Sequence, residues 1–70
     1  MTDLEATILD ILRQARRAMT NSDIQTQLIG IGFTLTSASL HRITDALIVL
    51  EGEKKVRNEL AWRALEELKL

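Results

Sequence analysis

Helix starts of one kind recur three times in this 70-residue chain, and their spacing allows only short helices. Thr2 with Glu5 and Thr20 with Asp23 fit the pattern Ser/Thr-x-x-acid. In that pattern the N-cap hydroxyl accepts from the N3 backbone N–H, and the N3 carboxylate accepts from the N-cap N–H. Both donors would otherwise be orphans at a helix end. Thr36, with Ser39 at N3, is a weaker version of the same start. Ahead of the second and third starts stands an apolar residue that matches another at N4, Met19 with Ile24 and Leu35 with Leu40, the spacing of a hydrophobic staple.

Apolar periodicity fills in the helices. The first is predicted over residues 3–17, with Leu4, Ile8, Ile11, Leu12 and Ala15 on one face. Asp3 and Glu5 near its start and Arg13, Arg16 and Arg17 near its end suit the helix dipole, which is a sufficient structural reason for those arginines. A second helix is predicted over 21–29, burying Ile24 and Leu28 and ending at Gly30 as the residue after the cap. The third, over 37–50, puts Leu40, Ile43, Leu47 and Leu50 on its core face with Ala46 beside them. Its opposite face carries Ser37, Ala38, His41, Arg42 and Asp45, then Ile48 and Val49.

Beyond Leu50 the segment Glu51-Gly52-Glu53-Lys54 breaks the helix, and Lys55-Val56-Arg57 reads as a short strand. The remainder has two readings. Leu60, Trp62 and Ala64 alternate with Ala61, Arg63 and Leu65, which suits a return strand after a turn at Asn58-Glu59. Asn58 is also a good N-cap, and residues 59–70 have high helix propensity throughout.

Composition narrows the function classes. A single domain spanning residues 1–70 buries a small core, with a net stability of ~3–5 kcal/mol, so support from a partner or a second copy is expected. Cysteine is absent and His41 is the one histidine, which leaves no ligand set for a transition metal. Carboxylates are scattered, Ser37 and Ser39 have no base partner in sequence, and Gly30-x-Gly32 is not a phosphate loop. Neither an enzyme nor a cofactor or small-molecule substrate is therefore expected. No apolar run reaches the ~18–20 residues of a membrane span, and acidic Asp3 and Glu5 stand where a signal peptide carries positive charge. The expected compartment is the cytoplasm. A net charge of −1 argues against a broad basic surface, although from Ile24 to Leu50 the formal charges are only Arg42 and Asp45.

The run Leu35-Thr36-Ser37-Ala38-Ser39-Leu40-His41-Arg42-Ile43, leading to Leu47, Leu50 and Val56 with Trp62 beyond, resembles the winged helix-turn-helix domains of small prokaryotic transcriptional regulators. The likeness covers roughly residues 4–65. Such domains usually carry a glycine and an apolar residue before the first wing strand, where this chain has Lys54-Lys55. The resemblance implies an α+β, mainly α fold: a three-helix core with a two-stranded β-wing. It further implies sequence-specific binding of double-stranded DNA as a homodimer, with helix 36–50 in the major groove and the 53–63 region as wing. Ser37, Ala38, His41 and Arg42 would then face base edges, Thr36 and Ser39 the phosphates at the helix start, and Lys54, Lys55 and Arg57 the backbone or minor groove. The rival reading is a winged-helix module for protein–protein assembly, favoured by the acidic pI of about 5.7 and by Ile48, Val49, Leu65, Leu68 and Leu70 as an apolar contact surface.

Overall fold

The structure, a computed structural model, describes residues 2–65. It is α+β and mainly helical, with α1 at Asp3–Ala15, α2 at Asn21–Gly30 and α3 at Leu40–Gly52. These are followed by the strands β1, Val56–Asn58, and β2, Trp62–Ala64, which form a two-stranded antiparallel sheet. The hairpin reading of residues 58–64 is therefore correct and the continuous helix is not; residues 66–70, with Leu68 and Leu70, lie outside the described residues.

Both acidic capping boxes form. The Thr2 hydroxyl accepts from the Glu5 N–H at 3.2 Å while the Glu5 carboxylate accepts from the Thr2 N–H, and Thr20 and Asp23 repeat the arrangement. The Met19 and Ile24 side chains at the staple positions are both buried. α1 ends at Ala15, slightly earlier than expected, because Arg16 turns into the left-handed region with φ 54°.

The third start differs from expectation. Four hydroxyls in the six residues 34–39 compete for nearby backbone groups, as short polar side chains do. Thr34 and Ser37 win the first turn: each side-chain oxygen accepts from the other's backbone N–H at 3.0 Å, and the Ala38 N–H donates to the Thr34 carbonyl. The cap of α3 is then Ser39, whose Oγ accepts from the Arg42 N–H at 3.3 Å. Thr36 caps nothing and stands exposed in the turn. The apolar pair shifts with the cap. Ala38 and Ile43 occupy the staple positions and are fully buried, whereas Leu35 is 69% and Leu40 46% exposed.

Two helix ends close by the same motif, with the residue after the cap in the left-handed region and its own N–H and that of the next residue bonded back into the last turn. At α2 the Gly32 N–H donates to the Ile29 carbonyl and Phe33 N–H to the Leu28 carbonyl, so Gly32 (φ 115°) supplies the positive φ, not Gly30 as expected. Phe33 thereby packs against the core, as its place beneath the turn suggested. At α3 the Lys54 N–H donates to the Glu51 carbonyl and the Lys55 N–H to the Leu50 carbonyl, with Lys54 at φ 62°. A left-handed non-glycine residue is strained by ~1–2 kcal/mol, partly offset in glycine by its greater unfolded-state entropy. Lys54→Gly is accordingly expected to raise stability by ~0.5–1 kcal/mol, read as a higher urea midpoint at unchanged m-value.

One core joins all five elements. Ile8, Leu9 and Leu12 of α1, Ile24 and Leu28 of α2, and Ile43, Ala46, Leu47 and Leu50 of α3 meet Met19, Val56, Trp62 and Ala64. The Trp62 N–H and C=O both bond to Met19 at 2.8 Å, so the segment between α1 and α2 runs beside β2 and pins the hairpin to the helices. A side-chain chain reinforces that seam: the Trp62 indole N–H donates to Asn21 Oδ1 at 2.8 Å, and Asn21 Nδ2 donates to Thr44 Oγ1 at 2.7 Å, joining β2, α2 and α3.

Candidate nucleic-acid interface

With Ile43, Ala46, Leu47 and Leu50 turned inward, the 3.6-residue repeat leaves His41, Asp45 and Ile48 along the outward line of α3, flanked by Arg42 and Val49. All five are exposed. At the N-terminal half the chemistry is polar. His41 Nε2 and Asp45 Oδ2 stand 3.3 Å apart, one turn from each other, and both side chains are largely in solvent. Arg42 lies alongside without an acidic partner among the described residues. The C-terminal half is apolar, with Ile48 56% and Val49 42% exposed.

The expected site residues are thus only partly brought together. Ser39, His41 and Arg42 share the first turn of α3. Thr36 and Ser37 precede the helix in the exposed turn, with the Ser37 hydroxyl engaged by Thr34, so neither rides on the helix face assigned to it. Ala38 is the plainest correction. It is fully buried, and its carbonyl accepts from Gln25 Nε2 of α2 at 2.9 Å, so it cannot touch a thymine methyl. Its small side chain serves the close approach of α2 to the start of α3.

The basic residues of the hairpin end stand apart from that turn. Ten residues of helix, 43–52, lie between Arg42 and the turn that carries Lys54, which at 1.5 Å per residue is ~15 Å. Lys54 is exposed, Lys55 is half-buried with Nζ 3.6 Å from Glu53, and Arg57 pairs with Glu59. Acidic neighbours therefore offset two of these three cations, as the interleaved sequence Glu53-Lys54-Lys55-Val56-Arg57-Asn58-Glu59 suggests.

The register of the hairpin reveals a residue that sequence reading missed. A turn at Asn58-Glu59 would set Arg57 opposite Leu60, but the loop is three residues long, Glu59 to Ala61, and the rungs are Val56↔Ala64, Arg57↔Arg63 and Asn58↔Trp62. Leu60 sits at the tip with φ 74° and full exposure. Val56, Trp62 and Ala64 point into the core, which leaves Arg57 and Arg63 on the other face, directly across from each other. The signal available in sequence was the alternation of Trp62-Arg63-Ala64, which marks Arg63 as outward once Trp62 is inward.

A groove between α1 and α2, lined by Asp10, Ile11, Gln14, Arg17, Gln27 and Ile31 among others, draws on no residue of α3 or the hairpin. Among the described residues no group of three or more His, Asp or Glu side chains converges as a metal site, and no helix is long and apolar enough to cross a membrane. Comparison with protein-family models, with curated proteins and with solved structures finds no match to this chain. The functional reading therefore stands on the geometry of α3 and the hairpin.

Proposed function

We propose that the protein is a small cytoplasmic DNA-binding regulator of winged-helix type, in which α3 enters the major groove and the β1–β2 hairpin serves as the wing. The observation that supports this most is Arg42. This residue stands exposed on the first turn of a helix whose opposite face is locked into the core, as a reading helix would present it, with α2 preceding across the nine residues 31–39, a longer connection than the three or four of a minimal helix-turn-helix. Arginine forks onto guanine O6 and N7, His41 donates or accepts beside it, and Asp45 accepts from cytosine N4. Ser39 and the open N–H groups at the start of α3 suit a phosphate. Lys54 adds a charge at the hairpin base.

Arg42→Ala is expected to weaken binding to a preferred site by ~1–3 kcal/mol and to relax base preference, whereas Lys54→Ala weakens all sequences alike and lowers the salt slope by about one. Fluorescence anisotropy of a selected and a scrambled duplex over a salt series measures both. Equal losses for Arg42→Ala on the two duplexes would remove Arg42 from base reading.

A second reading is favoured by Ile48 and Val49, which the hairpin leaves uncovered. An apolar patch on the C-terminal half of α3 suits assembly with protein, including a second copy of this chain, and a two-fold dimer suits palindromic half-sites. Under this reading Ile48→Asp dissociates a complex seen by analytical ultracentrifugation; a sedimentation coefficient identical in wild type and variant counts against it.

A further inference from the structure

Two amide side chains of α2 reach across to α3. Asn21 Nδ2 donates to Thr44 Oγ1 at 2.7 Å, and Gln25 Nε2 donates to the Ala38 carbonyl at 2.9 Å, both part-buried. Asn21 and Gln25 lie one turn apart in sequence, so they stand one above the other on a single flank of α2. Neither amide is free to turn over. The Trp62 indole N–H can only donate, so the Asn21 oxygen faces it and the Asn21 NH2 is left for Thr44. A main-chain carbonyl can only accept, so Gln25 offers its NH2 to Ala38. The buried Ile24 and Leu28 of α2 and Ile43 and Leu47 of α3 hold the helices together by an attraction without preferred direction, whereas a hydrogen bond weakens steeply as it bends. The two bonds grip α3 at its lead-in and at its middle, and so oppose its rotation and its sliding. Thr44, the inner of the two points, is next to Asp45 and one turn from His41, both of which are exposed.

We propose that Asn21 and Gln25 are positioning residues for base reading: together they set the rotation of α3 about its own axis, and thereby whether His41 and Arg42 meet base edges. This rests on the DNA-binding reading above and adds to it two residues of α2 that act through α3. A side chain that forks onto one base edge has to be held to about 0.5 Å by the groups behind it. Phosphate contacts fix register and carry no sequence information, and the long side chains that make them follow a small rotation of the helix. Loss of either grip therefore reduces selectivity between sequences and not binding as such.

Affinity for a selected and a scrambled duplex is measured by fluorescence anisotropy for wild type, Thr44→Val, Thr44→Ser and Gln25→Met, each first shown to be folded by circular dichroism. Valine keeps the shape of threonine and removes the hydroxyl; serine keeps the hydroxyl; methionine keeps the length of glutamine and removes the donor. The net worth of a neutral hydrogen bond corresponds to about 2- to 12-fold in an equilibrium. Thr44→Val and Gln25→Met should each lower the selected-to-scrambled affinity ratio by that factor while the scrambled duplex binds as to wild type, and Thr44→Ser should keep the wild-type ratio. A bond that serves stability alone lowers the thermal midpoint and leaves the ratio where it was. An unchanged ratio in Thr44→Val or in Gln25→Met, equal losses on both duplexes, or a loss in Thr44→Ser as large as in Thr44→Val overturns the proposal even where Arg42→Ala shows that α3 reads DNA. A wild type that binds neither duplex, or both alike, overturns the DNA-reading proposal and this one together. The two Thr44 variants decide the matter alone if Gln25→Met does not fold.

Discussion

Leu47→Ala unfolds most of the protein at room temperature. Leu47 is fully buried where α3 meets the other helices, and deletion of a buried leucine side chain costs ~2–5 kcal/mol through lost transfer energy and the cavity left behind. A 70-residue chain without disulfides has a net stability of ~3–5 kcal/mol, so the loss is comparable with the whole. In a domain of this size 1 kcal/mol moves the thermal midpoint by ~4–8 °C, and the expected drop therefore exceeds ~8 °C. A midpoint within a few degrees of wild type by circular dichroism would show that the side chain is not in the core.

Trp62→Ala is expected to be as severe, at ~3–5 kcal/mol, for two separable reasons. The ring fills the junction of hairpin and helices, being 8% exposed, and its indole N–H satisfies Asn21 Oδ1. Trp62→Phe separates them. It keeps an aromatic ring but leaves the Asn21 oxygen without its donor, at a cost of ~1–3 kcal/mol. The phenylalanine variant should fold with a lowered midpoint while the alanine variant does not. Equal midpoints for Trp62→Phe and wild type would show that the Trp62–Asn21–Thr44 chain contributes nothing to stability.

What was legible in the sequence was what local chemistry decides. The boxes at Thr2 and Thr20 close within three residues, and no distant contact overrides them. The Ile43, Leu47 and Leu50 stripe was legible because one helical period fixes it wherever α3 starts. The start itself was not. In residues 34–39 several hydroxyls offer caps of similar local energy, and the choice falls to non-local packing: burial of Ala38 and the bond from Gln25 to its carbonyl. That choice moved Thr36, Ser37 and Ala38 off the outward face while leaving His41 and Arg42 on it.

The hairpin register was hidden for the same reason. Its reference is Met19, remote in sequence, which takes both main-chain bonds of Trp62 and so aligns Arg57 with Arg63. A two-residue turn at Asn58-Glu59 is the simpler local solution, yet it would set Lys55 instead of Asn58 opposite Trp62. Nor did the turn before β1 use its glycine. Gly52 ends α3, and the positive φ falls on Lys54, where the resemblance to winged helix-turn-helix domains would place glycine.

The central claim, that α3 and the hairpin engage duplex DNA, is tested most directly by titrating the wild-type protein into a labelled mixed-sequence duplex at about 50 and 200 mM salt, where counterion release makes the electrostatic share of affinity visible. The account predicts saturable binding at the lower salt that weakens as salt rises, by about 3.5-fold for each phosphate contacted. No binding at the lower salt, with the protein folded and at micromolar concentration, would contradict it.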